Sequence, residues 1–186
     1  MRYRVGLETR SRILESTRDL VAEKGLDGAT IKAICDRAGI LVGSFYNLFG
    51  SKEEAILAVV SDAIRAVGPD PDDPATVFDL VDAYVDFVEK SEASARVYLM
   101  VAVTGGLTDP DIRARMLRHH ESRIELFTRA MTVARPDLTG EELRQRVESL
   151  LAALNGLAFH RLLDPSFDLR RHARGLLDIG RRPDST

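Results

Sequence analysis

One stretch of the chain decides the fold: TIKAICDRAGILVGSFYNLFGSKEE, residues 30–54. Thr30 is placed to cap a short helix over about 31–38, because a threonine side chain accepts a hydrogen bond from a first-turn amide. Gly39 is placed to end that helix. A second short helix is predicted over about 42–48. Two short helices joined by a tight, glycine-containing turn predict a helix-turn-helix.

Longer helices are predicted on both sides of this motif. A first helix over about 7–24 repeats apolar residues on one face, and Gly25 is placed to end it. Ser51 and Glu54 have the spacing of a capping box, which predicts a fourth helix over about 51–67. We therefore expect a three-helix head in which the first helix supplies the apolar backing for the two short ones.

The remainder of the chain has helical periodicity almost everywhere, so we predict an all-α protein of about nine helices. Three prolines within residues 68–74 predict a linker, and Asp73 is placed to cap the fifth helix. Gly105 and Gly106 are expected to end the sixth helix. The last three helices are expected to begin at Asp109-Pro110, at the capping-box pair Thr139 and Glu142, and at about Asp168.

Composition places the chain among ordinary globular proteins. Of its 186 residues, 45% are apolar and 30% are charged, which is a balance that disordered chains lack. The longest apolar run, residues 97–103, is far shorter than the ~20 residues that a membrane span needs. The N-terminal residues lack the apolar segment of a signal peptide. Cys35 is the only cysteine, so an internal disulfide cannot form. We therefore expect a cytoplasmic protein with no membrane partner.

The charge is distributed unevenly along the chain. The net charge is −3, but residues 1–52 contain nine Lys/Arg against six Asp/Glu, whereas the remainder contains 17 against 23. A basic segment joined to an acidic one is the asymmetry expected when only the first segment contacts phosphate groups. This distribution favours nucleic-acid binding by the head.

Some ten positions within residues 8–58 agree in order and spacing with a known family. The matching residues lie within 30–54 and are, in chain order, a threonine, an Ile-Ala-like pair, Ala-Gly-Ile, Gly-x-Phe-Tyr-x-x-Phe and Ser-Lys-Glu. These positions resemble the TetR family of bacterial transcription regulators. The resemblance implies a DNA-binding head, a body that encloses a small organic effector, and a homodimer formed by the last two helices, about 141–163 and 168–179.

The resemblance also assigns roles to individual residues of the head. Thr30 and Tyr46 correspond to residues that contact phosphates, and Lys52 adds a positive charge at a helix start that already favours anions. Gly43 allows the third helix to approach DNA closely. Ser44 and Asn47 are candidates for contacts with base edges. The same predicted DNA-binding surface includes Lys32 and Val42.

Three positions depart from the family pattern. Leu41 replaces the usual capping serine, Val42 replaces a residue that is commonly lysine, and Leu48 replaces an aromatic residue or histidine. Leu41 and Val42 cannot form hydrogen bonds with a base, although they could pack against thymine methyl groups. We therefore expect the departures to affect base specificity and to leave the fold unchanged.

The body of the chain predicts a dimer face and a candidate effector pocket. The eighth predicted helix is apolar around most of its circumference from Leu150 to Leu163, and Ala152 and Gly156 would permit close approach of a second helix. In the ninth helix, Leu169, Ala173 and Leu176 are expected to serve the same purpose. The candidate effector-binding residues are Tyr84, Tyr98, Met116, His120, Asn155 and Phe159.

Two residues have simpler alternatives. His120 lies in an apolar stripe, so it is either a core histidine with one hydrogen bond or a polar group of the pocket. His119 and His120 point about 100° apart on a helix and no third ligand is evident, so we expect no metal. Cys35 replaces a small alanine of the family and is expected to be a buried apolar residue.

These observations favour a ligand-responsive repressor that binds a palindromic operator. We expect a helix-turn-helix DNA-binding domain over 1–52 and an effector-binding and dimerisation domain over 53–180, connected by the helix over about 51–67, with a frayed tail over 181–186. An effector-independent DNA-binding protein is one alternative. An all-α enzyme is another, disfavoured because the sequence has no nucleophile–base pair, metal-ligand spacing or phosphate-binding glycine loop. We expect neither enzymatic activity nor a cofactor.

Overall fold

The computed structural model describes residues 2–65 and 75–178, with side chains over 6–63 and 75–177. The predicted linker over 68–74 and the predicted tail over 181–186 lie outside the described residues. The described residues form an all-α fold, as predicted, whose main helices are α1 (Arg2–Gly28), α2 (Ile31–Ala38), α3 (Val42–Tyr46), α4 (Lys52–Arg65), α5 (Val77–Lys90), α6 (Glu92–Met100), α7 (Pro110–Ala134), α8 (Gly140–Leu163) and α9 (Leu169–Asp178).

The chain divides into two compact units, one formed by residues 1–66 and 93–113 and the other by residues 67–92 and 114–186. In the first unit, α1 packs against α2 and α4, and α2 packs against α3. The core of this three-helix head is apolar and includes the buried side chains of Ile13, Val21, Ile34, Phe45 and Phe49. This arrangement confirms α1 as the apolar backing of the two short helices.

The ends of the head's helices are set by the residues that the sequence singled out. At Gly25 the backbone has φ 76° and ψ 179°, which interrupts α1 with a conformation that favours glycine. The Thr30 hydroxyl oxygen accepts a hydrogen bond from the Ala33 amide at 3.2 Å, and α2 ends at Gly39. Ser51 caps α4 by accepting from the Glu54 amide at 3.1 Å. The Glu54 carboxylate in turn accepts from the Gly50 amide at 2.7 Å.

The end of α6 differs from the prediction. The helix continues past Met100 as a π-helical turn, Val101–Gly105, and a short α-helical segment, Gly106–Thr108. A Cβ atom at Gly105 would lie 3.0 Å from the Ile112 side chain. The small residue therefore permits close packing between neighbouring helices and does not end the helix there.

In the second unit, two predicted caps are wrong. The Thr76 hydroxyl, not Asp73, caps α5, in a capping box with Asp79 whose hydrogen bonds measure 2.9 and 3.2 Å. Thr139 is the first flanking residue of α8, but its side chain makes no capping hydrogen bond. Capping depends on the local backbone conformation, which the spacing of residue types does not fix.

The packing of α9 corrects part of the predicted dimer face. This helix packs against α5 and α8 of its own chain, and Leu169 and Ala173 are fully buried there. These two side chains therefore belong to the core of the second unit and are not available to a partner subunit. Leu176 is half-buried. Within residues 2–65 and 75–178, no helix combines the length and apolar character needed to cross a bilayer.

Candidate nucleic-acid interface

The third helix has one buried face and one exposed face. Phe45 is fully buried and packs edge-on against Tyr46 with ring centroids 5.8 Å apart. It also contacts the Phe49 ring at the same centroid distance. Tyr46 is 55% exposed, and Asn47 is also exposed. The core therefore fixes the orientation of α3 through Phe45, while the polar groups of Tyr46 and Asn47 face outward.

Most of the other residues predicted to contact DNA lie on the surface of the head. Thr30 and Lys32 are exposed on α2, Val42 and Gly43 are exposed at the start of α3, and Ser44 is half-buried. The Lys32 ammonium donates to the Asp36 carboxylate at 2.8 Å, and this hydrogen bond raises the pKa of Lys32. Lys32 therefore remains charged at neutral pH, as a phosphate contact requires.

Lys52 has a structural contact that the sequence did not predict. Its ammonium group donates to the Leu26 carbonyl oxygen at 3.0 Å, and the side chain is half-buried. This bond connects the start of α4 to the segment that follows the Gly25 interruption. A change at Lys52 would therefore affect the fold of the head in addition to any contact with DNA.

Two arginines of the head make contacts that sequence spacing alone did not indicate. Arg37 on α2 donates to both carboxylate oxygens of Glu23 on α1, at 2.9 and 2.7 Å. The Arg10 guanidinium lies 5.8 Å from the centre of the Phe49 ring and 4.0 Å from the Asp62 carboxylate. These pairs join residues that are distant in sequence, so no local motif could have identified them.

Cys35 lies in the core of the head, as predicted. Its side chain is buried beside Ile34 and Ala38, and burial raises the pKa of the thiol. A raised pKa disfavours the reactive thiolate. Cys35 therefore acts as a small apolar residue.

A partly buried polar cluster lies in the second unit, and two of the predicted effector-binding residues belong to it. The Tyr84 hydroxyl donates to the Asn155 side-chain oxygen at 3.0 Å, which joins α5 to α8. Arg123 of α7 donates to the same oxygen at 3.4 Å, and its guanidinium lies 5.0 Å from the centre of the Tyr84 ring. Arg123 was not among the predicted site residues, although its position one turn after His119 on α7 was a usable signal.

The other predicted effector-binding residues are dispersed. Met116 and His120 are half-buried on α7, and Tyr98 is buried in the first unit. Phe159 is 58% exposed in the single chain, and its assignment to the effector site stays a prediction. The sequence predicts that one apolar side of α8 meets a second subunit, and one face of α8 is exposed in the single chain.

On α7, the pKa of the His119 side chain is shifted from its ordinary value. Burial lowers the pKa of His119 from 6.5 to about 4, and the nearby Arg123 and His120 contribute in the same direction. The imidazole is therefore neutral at physiological pH. Among the described residues, no group of three His, Cys, Asp or Glu side chains has an arrangement that could hold a metal ion.

Comparisons with known proteins agree with this arrangement. The profile of bacterial regulatory proteins of the tetR family matches residues 13–59. The HTH-type transcriptional regulator UidR of Escherichia coli K12 is 31% identical over 127 residues, which cover 66% of this chain and 64% of UidR. The match thus spans less than two thirds of the length of that relative.

Solved structures share the fold over nearly the whole chain. FadR from Bacillus subtilis, in complex with stearoyl-CoA, superposes with a TM-score of 0.76 and 14% identity, covering 91% of this chain and 96% of FadR. The tetR regulator TylP from Streptomyces fradiae superposes with a TM-score of 0.69 and 22% identity, covering 92% and 90%. Over residues 13–59 the chain therefore carries the N-terminal domain of the tetR family of bacterial regulatory proteins, and α2 and α3 form the helix-turn-helix of that domain.

Proposed function

We propose that this protein is a ligand-responsive transcription repressor. It binds a palindromic operator as a homodimer and is released from DNA by a small organic effector. Residues 1–52 bind the operator, residues 53–180 hold the effector and the dimer contact, and the protein acts in the cytoplasm. The observation that carries the proposal is the outward-facing surface of α3, where Tyr46 and Asn47 are exposed inside the segment that matches the family.

The exposed face of α8 supports the homodimer. Ala152, Gly156, Phe159 and Leu163 are all exposed and recur at the spacing of one helical face. The two small residues permit close approach of another helix, and the two large apolar ones would be removed from water by it. A two-fold symmetric pair would present two copies of α3 to the half-sites of a palindrome.

The polar cluster of the second unit supports an effector site. Tyr84, Arg123 and Asn155 bring hydrogen-bonding groups from three helices together, and Tyr84 and Arg123 are buried while Asn155 is half-buried. A few convergent polar groups in apolar surroundings are typical of small-molecule sites. An effector that binds one arrangement of these helices better than another would shift the DNA-binding equilibrium. The coupling free energy between an effector site and a second binding site is typically about 1–3 kcal/mol.

The proposal is tested by selecting DNA with the full-length protein. A random duplex library of about 30 base pairs has room for two half-sites one helical turn apart. We expect the enriched duplexes to contain an inverted repeat. Failure to enrich any sequence would contradict sequence-specific DNA binding, and enrichment of single, unrepeated half-sites would contradict the dimeric operator.

A matched pair of lysine variants tests the orientation of the head on DNA. Lys32→Gln should weaken binding to all duplexes and lower the salt slope by about one, since one phosphate contact is lost. Lys90→Gln is the control, because Lys90 is also exposed and also bonds an aspartate four residues away at 2.8 Å. Equal salt slopes for the two variants would contradict a phosphate contact by Lys32.

A further inference from the structure

Two adjacent apolar side chains are exposed at the start of α3. Leu41 is 81% exposed and Val42 is 45% exposed. Among the large apolar side chains in the part of the chain that the structure describes, only Val133 is more exposed than Leu41. Leu41 and Val42 directly precede Gly43 and Ser44, so they lie on the surface that α3 presents to DNA.

Stability of the head does not explain a leucine at position 41. Leu41 is the N-cap residue of α3, with φ −78° and ψ 150°, and its side chain makes no capping hydrogen bond. Serine, threonine, asparagine or aspartate would cap the helix at this position, and each would expose less apolar surface than leucine. Leucine is therefore the less stable choice on both grounds.

The surroundings of these side chains leave room for DNA. No atom lies within 4 Å of the position that a Cβ atom at Gly43 would occupy, apart from its own chain neighbours and the helix backbone. Exposed Tyr46 and Asn47 provide polar groups further along α3. The apolar feature that the major groove offers to such a surface is the C5-methyl group of thymine.

We infer that Leu41 and Val42 select thymine by burying its C5-methyl group in the major groove. The inference rests on the proposed DNA-binding function and adds the chemistry of base selection to it. Leu41 and Val42 form no hydrogen bond with a base, so the selection depends on the methyl group alone. The hydrogen-bonding edges of the same bases do not contribute at these positions.

The test removes thymine methyl groups individually from a bound duplex. A duplex enriched by the full-length wild-type protein is resynthesised with deoxyuridine in place of each thymine in turn, which deletes the methyl group and keeps the base pair. At the thymines contacted by Leu41 and Val42, we expect affinity to fall about fourfold for each methyl removed, the value for one buried methylene-sized group. The other thymines should tolerate the replacement.

The double variant Leu41→Ser, Val42→Ala links the effect to these side chains. Serine improves the cap of α3, so the variant should keep the wild-type helical circular dichroism signal. It should bind the thymine and deoxyuridine duplexes with equal affinity. Leu107→Ser is the control, because it removes a leucine that is 73% exposed outside the helix-turn-helix, and it should keep the wild-type sensitivity.

The outcomes separate this inference from the proposed function. If the wild-type protein binds an enriched duplex tightly but every deoxyuridine replacement is tolerated, the inference is wrong and the regulator proposal stands. The inference is also wrong if the double variant keeps the wild-type sensitivity, since other side chains would then contact the methyl groups. If no duplex is enriched, both proposals fail together.

Discussion

Helices α3 and α9 use their polar side chains in different ways. On α3, the Tyr46 hydroxyl and the Asn47 side chain form no hydrogen bond with other described residues. On α9, Arg170 pairs with Asp82, Asp86 and Glu89 of α5, and Arg174 pairs with Asp82. The polar groups of α3 are therefore available to an external partner, whereas those of α9 join two helices of the same unit.

This difference predicts how the two helices respond to substitution. A change on the exposed face of α3 should alter DNA binding and leave stability nearly unchanged, because little internal contact is lost. A change among the charged residues of α9 should alter stability, because it removes ion pairs that join α9 to three carboxylates of α5. Buried residues of either helix should affect stability most.

The largest effect is expected at Phe45. Phe45→Ala removes a fully buried ring from the core of the head, and it should lower the free energy of unfolding by about 3–5 kcal/mol. Chemical denaturation followed by circular dichroism would measure the loss. The neighbouring variant Tyr46→Ala should cost less than about 1 kcal/mol while weakening DNA binding, because Tyr46 is mostly exposed. Equal destabilisation by the two variants would contradict the division of α3 into a buried and an exposed face.

The head could be predicted closely because its structure depends on short-range features. The Thr30 cap, the end of α2 at Gly39 and the interruption at Gly25 each involve residues within about one helical turn of each other. Local spacing is enough to specify such contacts. The unexpected contacts of the head, Lys52 with Leu26 and Arg37 with Glu23, join different helices.

The second unit could be predicted only in outline, because its contacts depend on which helix faces meet. Periodicity identified an apolar α8, but it did not reveal that Phe159 is exposed while Leu154 and Ala158 are buried. Periodicity selected His120 on α7, whereas the histidine whose pKa is lowered is His119, whose environment includes Arg123. Contacts between helices separated by more than 30 residues have no signature in local spacing.

Acid sensitivity of the second unit provides the next test. The pKa of His119 is about 4 in the folded protein and 6.5 ordinarily, so between these values the unfolded chain binds a proton that the folded chain does not. Stability should therefore fall as the pH decreases through this range. His119→Gln should reduce that loss. Denaturation at about pH 7, 6 and 5 would measure it, above the range in which most carboxylates titrate.

The neighbouring histidine provides the control for this measurement. His120→Gln leaves the imidazole of His119 and its burial in place, so the variant should retain most of the loss between about pH 7 and 5. If the stability of the wild-type protein does not change over this range, the result would contradict a buried, neutral His119. The same loss in both variants would assign the acid sensitivity to another group.

An effect smaller than that at Phe45 is expected in the ion-pair network of α9. Arg170→Met keeps most of the apolar stem of the side chain and removes the charge that pairs with Asp82, Asp86 and Glu89. Arg170 is 33% exposed, so we expect a loss of about 1–2 kcal/mol, between the values typical of exposed and of buried ion pairs.

Salt dependence identifies that loss as electrostatic. In about 1 M NaCl the Debye length is near 3 Å, so the difference between wild type and Arg170→Met should decrease. Arg171→Met is the matched control, because Arg171 is exposed on the same helix and forms no ion pair with other described residues. It should have the stability of the wild-type protein at both salt concentrations. A loss at Arg170 that persists in high salt would contradict an electrostatic origin, and α9 would then resemble α3 in making little use of its charges for internal contacts.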